Sequence, residues 1–348
     1  MIREANGDLL GADVDAVVNT VNTVGVMGKG IALQFKRAYP TMFREYARLC
    51  KGGLIQLGTV HVWSTELMQP RFVINFPTKG HWRAGSKIAD IRTGLNSLVQ
   101  VIREHNITSI ALPPLGCGNG GLNWDDVEPL IREAFAALPD VDVVVFPPAG
   151  APAARAMATA TPKPNMTPAR AVLIQLLARY AARSDGASLI EVQKLLYLLQ
   201  EAGEELKLDY VAARYGPYAD NLRHALQALE GHFITGFGDG SARVLEAEPI
   251  SLLEGADEAA GVALNDSSLT LDRMDRVLEL TEGYESAYGL ELLATVHWAM
   301  VHDGLTTVED VVERVQGWNA RKADLFTPNH IAHAASALRR HGWVTSAA

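Results

Sequence analysis

Apolar residues recur along this chain in two rhythms. Up to residue 146 they come in short runs rich in Val, Ile and Phe. VVNTV at 17–21, GTVHVW at 58–63, RFVINF at 71–76, SIALP at 109–113 and VDVVVF at 141–146 read as strands, because β-branched and aromatic side chains suit a pleated, buried surface. Between them, apolar positions return at helical spacing over 30–38, 41–50, 86–104 and 124–138. Nearly continuous apolar strands alternating with helices predict a layered α/β domain whose sheet is covered on both faces. Ligands of such sheets bind beyond the carboxyl ends of the strands, and Gly/Asn-rich stretches stand at those ends, over 19–30, 77–83 and 116–121.

The rhythm stops at PPAGAPAARAMATATPKPNMTP, residues 147–168. Pro and Ala without apolar periodicity read as a semi-extended linker. It ends at Thr167-Pro168, an N-cap followed by proline in the first helical position. The expected organisation is a first domain over 1–148, a linker over 149–167 and a mainly helical domain over 168–348. In the second half, 168–182 is apolar at helical spacing. SLIEVQKLLYLLQEAG at 188–203 opens with Ser188 and has Glu191 three residues on, the pattern of a capping box. Gly216-Pro217 is expected to stop a strand-like YVAARY and to start a helix reaching Glu230. HFITGF at 232–237 and GWVTS at 342–346 read as short strands beside helices, as in a winged fold.

Charge separates the halves further. Residues 1–150 hold 14 basic and 14 acidic side chains; residues 169–348 hold 15 basic and 26 acidic ones, a balance of −11. Binding of DNA phosphates needs a basic face, so the acidic half is disfavoured as a DNA-gripping module. No run approaches the ~20 apolar residues of a membrane helix. The opening MIREANGD reads as neither signal nor transit peptide, and the only cysteines, Cys50 and Cys117, form no CxxC pair. A cytoplasmic protein without disulfides, metal or cofactor is expected.

Candidate chemistry gathers around SIALPPLGCGNGGLNWDD, residues 109–126, with four glycines among Gly116, Cys117, Gly118, Asn119, Gly120 and Gly121. A loop stripped of side chains between a strand and a helix start is a ready anion site, although a plain strand-to-helix turn would also account for a single glycine cluster. A second loop holds Gly25, then Gly28, Lys29 and Gly30. It lacks both the Walker order and GxGxxG, so nucleotide hydrolysis and dinucleotide-dependent redox chemistry are weak readings. Asp8 follows Asn6-Gly7. Asn19 and Asn22 end a buried strand, where a side-chain amide offers both donor and acceptor to sugar hydroxyls. Each would also serve as a turn residue. Lys79 ends another strand in PTKGHW, and Cys117 reads as a small packed residue rather than a nucleophile.

NGDLL at 6–10, NTVNTVGVMGKGIA at 19–32, NFPTKGHW at 75–82 and PPLGCGNGGLNW at 113–124 occur in this order on these elements. On them, residues 1–148 resemble the macrodomain, a three-layer α/β/α fold with a mixed sheet that binds ADP-ribose. KGHW makes them similar to the macrodomains of DarG antitoxins, whose DarT partners attach ADP-ribose to thymidine in single-stranded DNA. The resemblance implies a DNA ADP-ribosyl glycohydrolase. It places Asp8 and the Leu9 amide on the adenine, Asn22 on the distal ribose, the two glycine loops on the diphosphate, and Lys79 at the catalytic centre. A neutral Lys79 amine could attack the anomeric carbon; an ammonium could stabilise charge on the leaving base. Terminal-ADP-ribose-type relatives pair their lysine with an aspartate in the second glycine loop. No carboxylate occurs here before Asp125, which leaves His81 as the nearby candidate acid or base.

The helical half is similar to the toxin-binding region of DarG proteins through KLLYLLQEAG and ARYGPYADNL. The expected partners are a cognate DarT-type toxin and ADP-ribosylated single-stranded DNA, with ADP-ribose as product and no membrane. An acidic domain could fill a toxin's DNA groove by mimicking phosphates; Glu201, Glu204, Glu205, Asp209 and Asp220 are candidate contacts that would also serve as ordinary solvated charges. Two other readings stand beside this one. The first is an ADP-ribose reader without turnover; the second is a regulator with a winged-helix tail.

Overall fold

The computed structural model describes residues 1–184 and 186–344. The chain forms two compact units. One comprises Met1–Pro162 together with Gly238–Ala242, and the other Lys163–Phe237 together with the chain from Arg243 onward. The first unit thus continues past residue 148 into the stretch expected to be linker. Ala154 is buried there, and the Ala160 amide donates to the Arg37 carbonyl at 2.9 Å.

The first unit holds β1 (Ile2–Glu4), β2 (Ala16–Asn22), α1 (Ile31–Ala38), α2 (Pro40–Lys51), β3 (His61–Ser64), β4 (Phe72–Lys79), α3 (Ile88–Glu104), β5 (Ser109–Leu112), α4 (Trp124–Phe135) and β6 (Asp142–Val145). The strands form one sheet in the order β1-β6-β5-β2-β4-β3. Every neighbouring pair is parallel except β3 with β4, so the sheet is mixed, as the resemblance implied. The edge strand β1 precedes Asn6-Gly7-Asp8 and lies outside the apolar runs. Its sequence IRE is short and mostly polar, and it pairs with β6 through Ile2–Val143, Arg3–Val144 and Glu4–Val145.

Side-chain alternation builds the two cores. Ala16, Val18, Ile74, Phe76, Val143 and Val145 pack on one face with α3 and α4. Val17, Val21, Val73 and Val144 pack on the other with Phe35 of α1 and Met42 and Tyr46 of α2. Burial of each such side chain stabilises the fold by roughly 1.5–3 kcal/mol, and two-sided burial is why the strands read as continuous apolar runs. Gly94 lets α3 close onto the sheet: a side chain there would overlap the Phe76 ring.

The second unit is mainly helical: α5 (Pro168–Ala181), α6 (Leu189–Glu201), α7 (Leu222–Leu229), α8 (Ala256–Ala263), α9 (Ser268–Leu280), α10 (Ala287–Val301), α11 (Val308–Gln316), α12 (Ala320–Leu325) and α13 (Pro328–Arg340). The expected caps are present. Thr167 accepts from the Arg170 amide, and Ser188 and Glu191 close a capping box. Gly216-Pro217 does not start a helix. β8 (Gly216–Ala219) turns back antiparallel onto β7 (Tyr210–Ala213), and the helix begins only at Leu222. HFITGF shortens to β9 (Ile234–Thr235), which pairs with β10 (Ser251–Leu252). Residues 342–344 form no strand, and 345–346 lie outside the described residues. No helix among the described residues is long and apolar enough to cross a membrane.

Candidate active site

β4, β2 and β5 are neighbours in the sheet, so the loops after them meet at one edge. Asn22 stands in register with Lys79 after a bulge at Val21/Asn22. The Thr23 amide donates to the Lys79 carbonyl at 3.2 Å, and the Thr23 hydroxyl to the Gly80 carbonyl at 2.8 Å. Lys79 is only 8% exposed. Its Nζ donates to the Asn119 carbonyl oxygen at 2.7 Å, within the second glycine loop. Burial holds its pKa below the ordinary 10.5, because a charged ammonium loses hydration there. Among the described residues it makes no ion pair, and no cluster of side chains forms a metal site.

The glycines separate by what surrounds them. Gly30 precedes α1 with φ +64°, and a side chain there would come 3.2 Å from Asn119 Nδ2, so the two loops face each other. Gly120 is closed: an added Cβ would overlap Ser86 Oγ and the Gly116 carbonyl, and its own carbonyl accepts from the Ser86 amide at 2.9 Å. Gly116 is likewise tight: a Cβ added there would come 2.9 Å from Leu122 Cδ1. A Cβ added at Gly118 or Gly121, by contrast, meets nothing within 4 Å. Packing therefore accounts for Gly116 and Gly120 and a φ of +77° for Gly121, which leaves Gly118 with neither reason. In the first loop Gly28 is half-buried and Lys29 exposed.

Several expected ligand residues turn out to shape the site from below. Asn19 is fully buried and donates Nδ2 to Asn75 Oδ1 at 2.9 Å, which braces β2 against β4. Asn22 folds the first loop: its Oδ1 accepts from the Val24 and Val26 amides, each at 3.2 Å, and its Nδ2 donates to the Val26 carbonyl at 2.6 Å. Asp8 caps the short turn Leu9–Gly11 by accepting from the Leu10 amide at 2.9 Å, while the Leu9 side chain is buried. His81 is exposed, and its Nδ1 accepts from the Arg83 amide at 3.2 Å. Burial, with Asp126 nearby, pushes the Cys117 thiol up to about 11, so it remains a protonated, unreactive thiol.

Other residues went unnoticed in the sequence. Ser86 Oγ is buried with no hydrogen-bond partner among the described residues, and it faces Gly116 and Gly120. Asp239, from the segment Gly238–Ala242, takes the Gly30 amide on its carbonyl at 3.0 Å and the Gln34 amide nitrogen on its carboxylate at 2.6 Å. The Gly30 amide is therefore already satisfied. Only the small-residue cluster FGDGSA hinted at this.

In the second unit three of the five acidic candidates are engaged in ion pairs. Glu201 pairs with His302 at 3.0 Å, and Glu204 with Arg273 at 2.8 Å. Asp220 pairs with Arg223 at 3.3 Å, whereas Glu205 and Asp209 are exposed.

A mixed sheet between helices, with two glycine loops and a buried lysine at the carboxyl ends of its strands, is the architecture of a macrodomain. Residues 18–131 match the family model described as Macro domain. A DNA ADP-ribosyl glycohydrolase of Thermus aquaticus is 46% identical over 343 residues, covering 98% of this chain and 94% of that protein. A DNA ADP-ribosyl transferase-DNA ADP-ribosyl glycohydrolase fusion protein of Thermosipho africanus is 32% identical over 158 residues, 41% of this chain and 40% of that one. The solved macrodomain of Mycobacterium tuberculosis DarG has 59% sequence identity, covers 43% of this chain and 99% of its own, and gives a TM-score of 0.42. The chain belongs to the DNA ADP-ribosyl glycohydrolase family.

Proposed function

We propose that the first unit removes ADP-ribose from thymidine in single-stranded DNA, and that the second unit binds and neutralises the transferase that put it there. The observation that carries the enzymatic half is Lys79, a buried amine that has no counter-ion among the described residues and is held against a glycine loop. The activity in the name of the Thermus aquaticus relative, which matches nearly the whole chain, supports the same reading. The loops after β1 and β4 are four strand spacings apart, roughly 19 Å at the usual interval. That width suits a ligand with a base at one end, a ribose at the other and a diphosphate between. Asp8 then meets the adenine, the open Gly118 and Gly121 admit the diphosphate, and the distal ribose lies over Asn22 and Lys79.

Burial lowers the Lys79 pKa and so eases access to the neutral amine, the form in which Lys79 acts as nucleophile in this reading. Its lone pair forms a bond to the anomeric carbon while the glycosidic C–N bond breaks. The departing electron pair goes to the base nitrogen, which takes the proton that the newly alkylated Lys79 nitrogen gives up. Water then displaces the lysine: its oxygen bonds to the anomeric carbon, its proton returns to the lysine nitrogen, and ADP-ribose and the amine are released. Because Lys79 itself supplies the proton to the departing base, the step uses no carboxylate of the second loop. Partner binding is supported by the Thermosipho africanus relative, whose name joins transferase and glycohydrolase in one chain, and by the acidic balance of residues 169–348.

The test is hydrolysis of single-stranded DNA carrying ADP-ribosyl-thymidine, wild type against Lys79→Ala, with ADP-ribose release measured. Release by the wild type alone is the expected result. No release by either, with ADP-ribose still bound, would make the first unit a reader.

A further inference from the structure

The two motifs of the second half, KLLYLLQEAG and ARYGPYADNL, meet at one place. Lys194 of α6 is 1% exposed and donates Nζ to the Pro217 carbonyl at 2.5 Å. Gly216, with φ +86°, lies so close beneath the β7–β8 turn that an added Cβ would come 2.6 Å from Thr295 Oγ1 and 3.7 Å from Lys322 Nζ. Lys322, fully buried, donates to Glu291 Oε1 at 2.7 Å and to Thr295 Oγ1 at 3.0 Å. Arg321 reaches the same Glu291 oxygen at 2.6 Å. One carboxylate therefore serves two cations, and Lys194 has no acidic partner among the described residues.

Beside this cluster opens a cleft of about 500 Å³, lined by Arg214, Trp318, Asn319 and Arg321. Its walls are tied together: Trp318 Nε1 donates to the Ala213 carbonyl at 2.8 Å, and Asn319 Nδ2 to the Arg214 carbonyl at 3.1 Å. The aromatic faces are already taken. The guanidinium carbons of Arg214 and Arg321 lie 5.6 and 4.8 Å from the Tyr215 ring centre, and that of Arg314 4.5 Å from Trp318. The cleft thus offers a ligand positive charge rather than a ring to stack on. Arg214 is exposed and makes no ion pair among the described residues.

We propose that this cleft is an interaction site that receives an acidic side chain of a protein partner. Residues 169–348, most of which belong to the surrounding unit, carry a balance of −11, which repels a polyanion such as DNA as a whole. A protein surface that is basic overall and carries one carboxylate opposite Arg214 and Arg321 complements both the field and its local reversal. Burial, and next the neighbouring Lys322, bring Lys194 down to about 7, with Glu291 opposing.

This rests on the reading that the second unit binds the transferase. The test titrates the full chain onto the organism's DNA ADP-ribosyl transferase by calorimetry, comparing wild type, Arg214→Ala and Arg214→Glu. Arg214→Glu is expected to weaken binding at least about tenfold, and Arg214→Ala less. Thermal midpoint and ADP-ribose release should match wild type. Wild-type binding with Arg214→Glu within about twofold of it overturns the cleft and spares the partner reading. Failure of the wild type to bind overturns both. Binding of a single-stranded oligonucleotide that Arg214→Glu abolishes would hand the cleft to nucleic acid.

Discussion

Lys79 Nζ and the carbonyl oxygen of Asn119 lie 2.7 Å apart, which fastens the end of β4 to the glycine loop after β5. The lysine is thereby positioned by backbone rather than by a carboxylate. Its replacement should leave the loop's hydrogen-bonded frame at Ser86 and Gly120 intact.

Lys79→Ala is expected to lower the rate of ADP-ribose release at least about a hundredfold, with ADP-ribose affinity changed only a few-fold by calorimetry. Lys79→Arg should not rescue it, since a guanidinium cannot supply the neutral nucleophile. The pH profile gives the sign. Burial sets the folded pKa below 10.5, so the neutral fraction, and with it the single-turnover rate, should rise with pH through that lowered pKa and then level off. A rate that falls over the same window would mean that the ammonium is the working form.

The two kinds of glycine predict opposite phenotypes. Gly118→Val has room on its own side of the loop and should keep the wild-type melting temperature, yet weaken ADP-ribose binding because the added side chain occupies the ligand's approach. Gly120→Ala should disturb the loop itself through Ser86 and Gly116, and it should lower the melting temperature as well. Equal affinity of Gly118→Val and wild type would remove the diphosphate from this loop.

His297 accounts for an acid limb in the stability of the second unit. It is 2% exposed and shares a 2.8 Å hydrogen bond with the Tyr197 hydroxyl. Burial, and then His302 and Arg276, bring its pKa from 6.5 down to about 3. The unfolded chain therefore takes the proton first. The stabilising contribution is complete above about 6.5 and is lost as the pH falls toward 3. Urea midpoints at pH 7 and pH 4.5 should converge in His297→Phe relative to wild type, even though the variant is weaker at pH 7 for want of the Tyr197 hydrogen bond.

Glu291→Gln should cost about 3–5 kcal/mol in urea unfolding, because it strands Lys322 and Arg321 without their counter-charge. Adding Lys322→Met should recover part of that loss, since the two side chains are in contact and their effects do not add.

Much of this was legible where the determinants are local. Thr167-Pro168 and the Ser188/Glu191 box work within three residues, and both formed as read. The two-sided burial of β2 and β4 was written in their apolar runs. Gly216-Pro217 was misread because proline's fixed φ suits an edge strand as well as a helix start. What decides between them is distant, since Gln193 accepts the Ala219 amide and donates to the Ala219 carbonyl, each at 3.0 Å. Lys79 stood out as a motif, but its burial depends on Asn119, and no local pattern reveals that. Nor does charge balance reveal that Glu201 and Glu204 are already paired.

The segment Gly238–Ala242 belongs to the first unit although about 75 residues of the second, Lys163–Phe237, precede it in the chain. A ribosome adding roughly 5–20 residues per second needs about 4–15 s to make that stretch. Through this interval the residues that make up the sheet and helices of the first unit have been synthesised but Asp239 has not, and the Gly30 amide at the start of α1 has yet to meet its carbonyl. The catalytic half is thus completed only after much of its neighbour has been synthesised, so the order of translation sets the order in which the site is finished.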